Sequence, residues 1–479
     1  MDHLRRGLAV SVRRATCLCL AATFSIALTP SSANATQFHV QAETVGDFYQ
    51  LLNANNEVLN RRQIHQYVGF GAYDLLSDGE HQLSIQTLMR FDADFGMASD
   101  EVDPQNNART AHLTVQHAVF EGRDLFGVLD FKLGRQLLAD PLDFMMLDGL
   151  SVRLSSPWHI GVELIAGMES QSARDPDVPL TASSLELDGV RFVEGSHENT
   201  DQVRVVLGAA LVTTGLWNTR ARVSYRRIFS GIEEGAPLGK VNQEKIGAAL
   251  YQRLFDVLHI NGALSYDLYT LQPDAIRAGV RVQALDSLGI EAEYVRLVPV
   301  FDADSIFNVF QAYPLNDINA RVRWHLSEQA WAYAGGMVRL FGNEVQSQAD
   351  APPTYANEDE TVMAYGVMAG YHHRFGMDGR VSGDFSYEDG YGGSRMLVDV
   401  GGRWGVVPGE IELDGRMTAV LFQDELQENL GAFSFGYQVG GRYLFEKRAG
   451  LQLMLEHNIN RLQKHQLRVF VLADVNLWL

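Results

Sequence analysis

The chain reads as an all-β protein: a single closed antiparallel transmembrane β-barrel of about 22 strands, within a range of 18 to 22, with short periplasmic turns and long extracellular loops. Three observations predict it. Residues 1–35 are built like a secretory leader. Apolar and polar residues alternate with period two in segments of about ten residues. Short turn-forming connections alternate with long polar ones.

The leader comes first in the chain. Arg5, Arg6, Arg13 and Arg14 flank or precede the apolar stretch Ala15 to Leu28, and Ala33-Asn34-Ala35 is a small-residue cleavage site, so the mature protein is expected to start at Thr36. The apolar stretch is short for a spanning helix. Both cysteines, Cys17 and Cys19, fall in the removed segment, which leaves the mature chain without disulfides or thiolate chemistry. Cleavage leaves 35 of the 39 Lys and Arg and 58 of the 59 Asp and Glu, a net charge of −23 in place of −20. That balance argues against nucleic acid and anionic headgroups as partners and suits the passage of cations. Residues 36–479 show no linker, composition shift or low-complexity tract, so they are read as one barrel domain. No mature segment reaches the 18 consecutive apolar residues of a spanning helix, and a closed barrel is the remaining way to satisfy every backbone group in lipid.

The strands follow from the punctuation. Short connections are expected at Ser77-Asp78-Gly79, Arg123 to Phe126, Ser155-Ser156-Pro157, Thr213-Thr214-Gly215, Asp286-Ser287, Ser327-Glu328, Met377-Asp378-Gly379, Val407-Pro408-Gly409 and Lys447-Arg448. Longer polar segments fall at 95–109, 138–147, 170–200, 231–240, 301–316, 344–360 and 422–429. With a rising first strand near 39–52 and a descending last strand near 466–479, both termini lie at the periplasmic side. Within strands, one face is apolar. Leu467, Val469, Val471, Ala473, Val475, Leu477 and Leu479 oppose Arg468, Asp474 and Asn476; Ile411, Leu413, Met417, Ala419 and Leu421 oppose Glu412, Asp414, Arg416 and Thr418.

The opposite face carries the chemistry. Arg220, Arg222 and Arg226 share one face of the strand near 217–229, with Arg204 on its neighbour; Arg277 and Arg281, then Arg321 and Arg323, repeat the theme. Glu291, Glu293, Asp384, Asp399, Glu410, Glu412 and Asp414 are expected on the same lumen. A row of arginines opposed by carboxylates would set a transverse field across a pore and filter charge. The plainer reading is that these charges pair and hold the wall in shape. The arginine cluster at 204, 220, 222 and 226 is the candidate anion-contacting wall.

The stretch Phe131-Lys132-Leu133-Gly134-Arg135-Gln136, followed by Asp140, Asp143 and Asp148-Gly149, resembles a strand of porin-like and alginate-export-like outer-membrane channels of Gram-negative bacteria. About 30 residues carry the resemblance. It implies a segment from Leu137 to Leu147 that folds into the pore, with Asp140, Asp143 and Asp148 as candidate constriction residues; an ordinary extracellular loop is the alternative. Parity turns Asp130, Lys132, Gly134 and Gln136 inwards and puts Arg135 on the lipid side unless Gly134 sits in a bulge. Such barrels commonly end in an aromatic residue, whereas here Trp478 is penultimate and Leu479 is last.

No nucleophile elbow, His-Glu-x-x-His or Cys/His metal spacing is present, so no enzyme, cofactor or metal site is expected. His117, given the lipid-facing parity of Leu113, Val115 and Val119, is the one histidine placed for chemistry on a membrane face; an interfacial role is the plainer reading. Acidic runs in the long segments read as solvated loops. The expected function is passive diffusion of small hydrophilic solutes through a charged lumen. The alternatives are a substrate-specific exporter or receptor, for example for an anionic polysaccharide, and a non-conducting structural barrel. Expected partners are outer-membrane lipids and lipopolysaccharide, the barrel insertion machinery and the solutes; a second copy of the barrel is a further candidate.

Overall fold

The computed structural model describes residues 36–52, 58–76, 82–96, 111–170, 204–230, 240–298, 315–341, 362–376, 378–390, 393–424, 430–446, 448–461 and 464–479. These form twenty-two strands: β1 (Gln37–Leu52), β2 (Val58–Tyr73), β3 (Gln82–Asp94), β4 (Ala111–Leu125), β5 (Leu129–Ala139), β6 (Phe144–Ser155), β7 (Ile160–Glu169), β8 (Val205–Leu216), β9 (Thr219–Ser230), β10 (Lys240–Leu254) and β11 (Leu258–Asp267) make up the first half. The second half is β12 (Gln272–Leu285), β13 (Leu288–Leu297), β14 (Leu315–His325), β15 (Ala330–Phe341), β16 (Val362–Phe375), β17 (Gly379–Gly390), β18 (Ser394–Val407), β19 (Ile411–Asp424), β20 (Leu430–Phe445), β21 (Ala449–Ile459) and β22 (Gln466–Trp478). No helix occurs among the described residues.

Every strand pairs antiparallel with the next in sequence. The sheet closes where β1 meets β22, from His39↔Trp478 to Tyr49↔Arg468. Closure leaves no unpaired edge, which is the condition for a sheet to live in hydrocarbon. At the seam, Asp47 holds Arg468 through Nε at 2.8 Å and through Nη2, while Trp478 stacks on His39. Arg468 also lies over the ring of Tyr49.

Faces alternate as period two requires. Outward positions such as Leu453, Val439, Met417 and Val367 are apolar and exposed. Their neighbours Gln452, Gln438, Arg416 and Met368 turn inwards. An apolar exterior on a closed 22-strand antiparallel sheet is the architecture of a bacterial outer-membrane barrel.

Several expectations need correction. The turn expected at Thr213-Thr214-Gly215 sits at Trp217 and Asn218, both at positive φ (51 and 58), and β8 runs on to Leu216. The turn expected at Arg123 to Phe126 is residues 126–128, after β4 ends at Leu125. A further tight turn, with Phe255 and Asp256 at φ 53 and 60, joins β10 to β11. The turn at 286–287 stands where the sequence placed it, and the one expected at Val407-Pro408-Gly409 falls one residue later, at 408–410; Ser77 to Gly79, Met377 and Lys447 lie outside the described residues. His117 and Val119 face inwards, because a bulge at Gln116 shifts the register from Leu88↔His117 to Met89↔Val115 and inverts parity above it.

The segment 138–147 is no long loop. β5 continues to Ala139, residues 140–143 make a tight connection closed by Asp140 N–H to Asp143 O at 3.2 Å, and β6 starts at Phe144. Below this hairpin tip, Gly134, Gly149 and Gly167 stand side by side across β5, β6 and β7. A Cβ on Gly134 would meet the Ala118 carbonyl well inside 3.0 Å, and its φ of +120 is open to glycine alone; Gly149 and Gly167 abut each other's backbones. This row lets the three strands bend sharply, and the hairpin leans into the barrel.

Candidate functional site: the inner wall

The hairpin between β5 and β6 reaches over the inner face of the wall. Asp143 on the tip binds Nη2 of Arg226 on β9 at 2.5 Å, and Asp140 lies 3.9 Å from Nη1. Leu142, buried, fills the space beside Gly247 on β10. Three to four strand spacings, about 14 to 19 Å, separate β6 from β9 and β10 along the wall, so the tip crosses the inner side of β7 and β8 to make these contacts. Beneath it lies a small apolar core of Met145, Leu147, Ile165, Val206 and Ile228, with Leu138 packed against it. A dry cluster inside a barrel needs a cover, and the leaning hairpin supplies it.

The arginines expected to form a bare cationic wall are mostly paired. Arg222 makes a fork with Glu163 at 2.8 and 3.0 Å. Arg204 contacts Glu169 at 3.5 Å, and Arg226, 2% exposed, is held under the tip. Arg220 faces the lumen and is exposed. Pairing is also local across the rest of the wall. Arg339 bridges Asp317 (3.0 Å) and Glu388 (2.8 Å), Arg416 binds Asp399 (2.8 Å), Arg403 binds Glu412, and Arg442 binds Asp474 (2.9 Å). In these pairs positive and negative charges sit one or two strands apart in direct contact, and not on opposing walls as in the transverse field expected from the sequence.

At one carboxylate three partners meet. Glu291 on β13 receives Arg281 from β12 at 2.7 Å, Arg321 from β14, and Arg323 from β14 at 3.6 Å. Three guanidiniums converge on one carboxylate, and those of Arg281 and Arg321 stay about half exposed, at 53% and 42%. Register places Arg281, Glu291, Arg321 and Gly335 on one level, and Gly335 lets β15 close up on β14 there, since a Cβ on it would meet the Ala320 carbonyl and Arg321 inside 3.0 Å. Arg323 also lies 4.9 Å over Trp331, which stacks on His372 at 3.9 Å; His372 and the Tyr333 hydroxyl both approach Asp384, at 3.3 and 2.8 Å. Sequence parity placed Arg281, Arg321, Arg323, Glu291 and Asp384 on one face. It did not bring out the aromatic stack, whose signal was Trp331 and Tyr333 sharing the parity of Arg339.

The other expected residues are placed as follows. Arg277, Glu293 and Asp414 lie on the inner faces of β12, β13 and β19. Glu410 lies in the turn 408–410 and not on the wall, because β19 begins only at Ile411. Asp148 is turned outwards, away from the lumen, where it binds Arg135 of β5 through two hydrogen bonds of 2.7 and 2.6 Å. Of the three candidate constriction residues, Asp140 and Asp143 are on the hairpin tip and Asp148 is not on the inner face.

Neither a family model nor a curated protein sequence matches the chain. Among solved structures it is similar to the outer membrane protein OpdK of Pseudomonas aeruginosa, at 10% identity and a TM-score of 0.44 over 93% of this chain and 100% of that one. It is also similar to OccAB2 of Acinetobacter baumannii, at 8% identity and a TM-score of 0.45 over 94% and 100%.

Proposed function

We propose that the chain is a porin-like outer-membrane channel through which small hydrophilic solutes diffuse passively. The observation that carries this reading is the water-exposed charge on the inner face: the side chains of Arg281, Arg321 and Arg416 are 53%, 42% and 63% exposed inside a closed sheet whose outside is apolar. Charged side chains hold such exposure only where water fills the lumen. The hairpin tip with Asp140 and Asp143 narrows the path on one side, and the guanidiniums around Glu291 offer passing anions a contact. Residues 1–35 serve as the leader, and the insertion machinery and surface lipopolysaccharide are the partners of assembly.

The three-to-one cluster at Glu291 also favours a second reading, a dedicated path for an anionic polymer. Planar-bilayer recording on purified protein separates the two. Steady open conductance with weak ion selectivity supports diffusion; a barrel that conducts only when a polyanion is added, or is blocked by it at low concentration, supports the second reading. A barrel silent under both conditions overturns both.

A further inference from the structure

We propose that the outer wall around β4, β5 and β6 is covered by a second copy of this chain and not by lipid. The inference rests on the barrel's spanning a membrane and is independent of what it conducts.

The starting point is a charge pair in the wrong solvent. Arg135 and Asp148 are register partners on β5 and β6, both turned outwards, with side chains 25% and 31% exposed. They do not sit at a rim. On the same face, Leu133 and Phe131 lie below Arg135 and Leu137 lies above it; Leu150 lies below Asp148 and Phe144 above it, and most of these are exposed. The pair is therefore bracketed along both strands by side chains suited to hydrocarbon. Charge on the lipid face of a barrel is costly towards the midplane, and hydrocarbon has no group with which to solvate it.

Part of Arg135 has a local task. Its Nη1 donates to the Val115 carbonyl at 2.8 Å, next to the bulge at Gln116 that interrupts the β4 ladder. Satisfying that carbonyl explains a donor on this face; it does not explain leaving the carboxylate of Asp148 open to lipid. Asp148 accepts two hydrogen bonds from Arg135, about half of what a carboxylate can accept.

A second copy suits this surface by its own symmetry. Across a two-fold axis the same patch meets itself, so the Arg135 of each barrel faces the Asp148 of the other, and two neutral pairs become a closed ring of four alternating charges. The exposed leucines around the pair meet their counterparts. A partner of other chemistry would need both an acidic and a basic group at matching depth, which the chain itself already provides.

The test uses the full-length protein with Cys17→Ser and Cys19→Ser, so that one introduced cysteine is the only thiol. Leu133→Cys beside the pair is compared with Leu453→Cys on the outward face of β21, well away along the sheet. In outer-membrane vesicles under mild oxidation, the Leu133→Cys protein should give at least tenfold more disulfide-linked dimer than the Leu453→Cys protein. Adding Arg135→Leu and Asp148→Leu to the Leu133→Cys protein should reduce its dimer at least tenfold while the folded barrel keeps its heat-modifiable mobility; if that variant does not fold, Arg135→Lys, which keeps charge but loses the fork, should lower the yield in the same direction. Equal dimer yields from both positions, with equal labelling by pyrene maleimide dissolved in the bilayer, would show lipid on this face and overturn the proposal. So would cross-linking of the Leu133→Cys protein to a band of any mass other than the dimer, or dimer yields untouched by removing the pair.

Discussion

Unlatching the hairpin tip should widen the channel. The perturbation is Leu142→Ala with Asp143→Asn. Asp143 accepts a charge-assisted hydrogen bond from a guanidinium that is 2% exposed, a contact worth about 1.5 to 3 kcal/mol. Leu142 is buried against Gly247, and truncating it removes about 2 kcal/mol at the low end of the range for core leucines, since a hairpin tip can relax. The two contacts share one tip and will not add fully, so about 3 to 4 kcal/mol is the loss to expect, which raises the population of hairpin-open barrels by about two to three orders of magnitude. A 22-strand barrel with strands about 4.8 Å apart and tilted about 40° is about 44 Å across its backbone, leaving a lumen about 30 Å wide inside the side chains. A two-stranded tip about 10 Å wide that crosses about 14 Å of it covers about one fifth of the section. Single-channel recordings of the double variant should therefore show conductance higher by about that fraction, or transitions to such a level. Unchanged conductance and unchanged current noise, in a barrel that still folds, would refute the idea that the tip lies in the conducting path.

Three further outcomes follow from particular contacts. Glu291→Gln leaves Arg281, Arg321 and Arg323 without their shared carboxylate, so the reversal potential in a salt gradient should move towards anions, while Arg281→Gln with Arg321→Gln should move it towards cations. Gly134→Ala forces a Cβ onto the Ala118 carbonyl at a φ of +120, a strain of about 1 to 3 kcal/mol or more, and should lower the urea midpoint of unfolding or reduce the yield of heat-modifiable barrel. Asp47→Ala leaves Arg468 without its partner at the β1–β22 seam; the loss, about 1 to 3 kcal/mol, should appear in the same urea titration with little change in ion selectivity.

Much of the architecture was legible because a barrel in lipid obeys a local code. Each residue's face follows from its neighbours at i±1 and i±2, so the outward rows of β19 and β22 emerge from alternation, and the strand total from the turns and loops that interrupt it. What the code missed are its local exceptions. Trp217-Asn218 and Phe255-Asp256 form turns through positive φ without glycine or proline, so a single Asn or Asp beside a large aromatic is the whole signal of the turn. The bulge at Gln116 inverts His117 and Val119, and a single extra residue has no signature in hydropathy. The pairing of Arg222 with Glu163 and of Arg226 with Asp143 joins residues 59 and 83 positions apart, which only the register and the hairpin's lean bring together. The glycine row was present in the sequence as Gly134, Gly149 and Gly167, but its meaning lies in their meeting side by side across three strands.

The central claim is that one face of each strand touches hydrocarbon and the other touches water. Spin labels placed one at a time along β19, from Ile411 to Thr418, test it most directly by comparing collision with oxygen and with a water-soluble nickel chelate. The account predicts oxygen-favoured collisions at Ile411, Leu413, Gly415 and Met417 and chelate-favoured collisions at Glu412, Asp414, Arg416 and Thr418. Loss of that alternation, or its reversal, would contradict it.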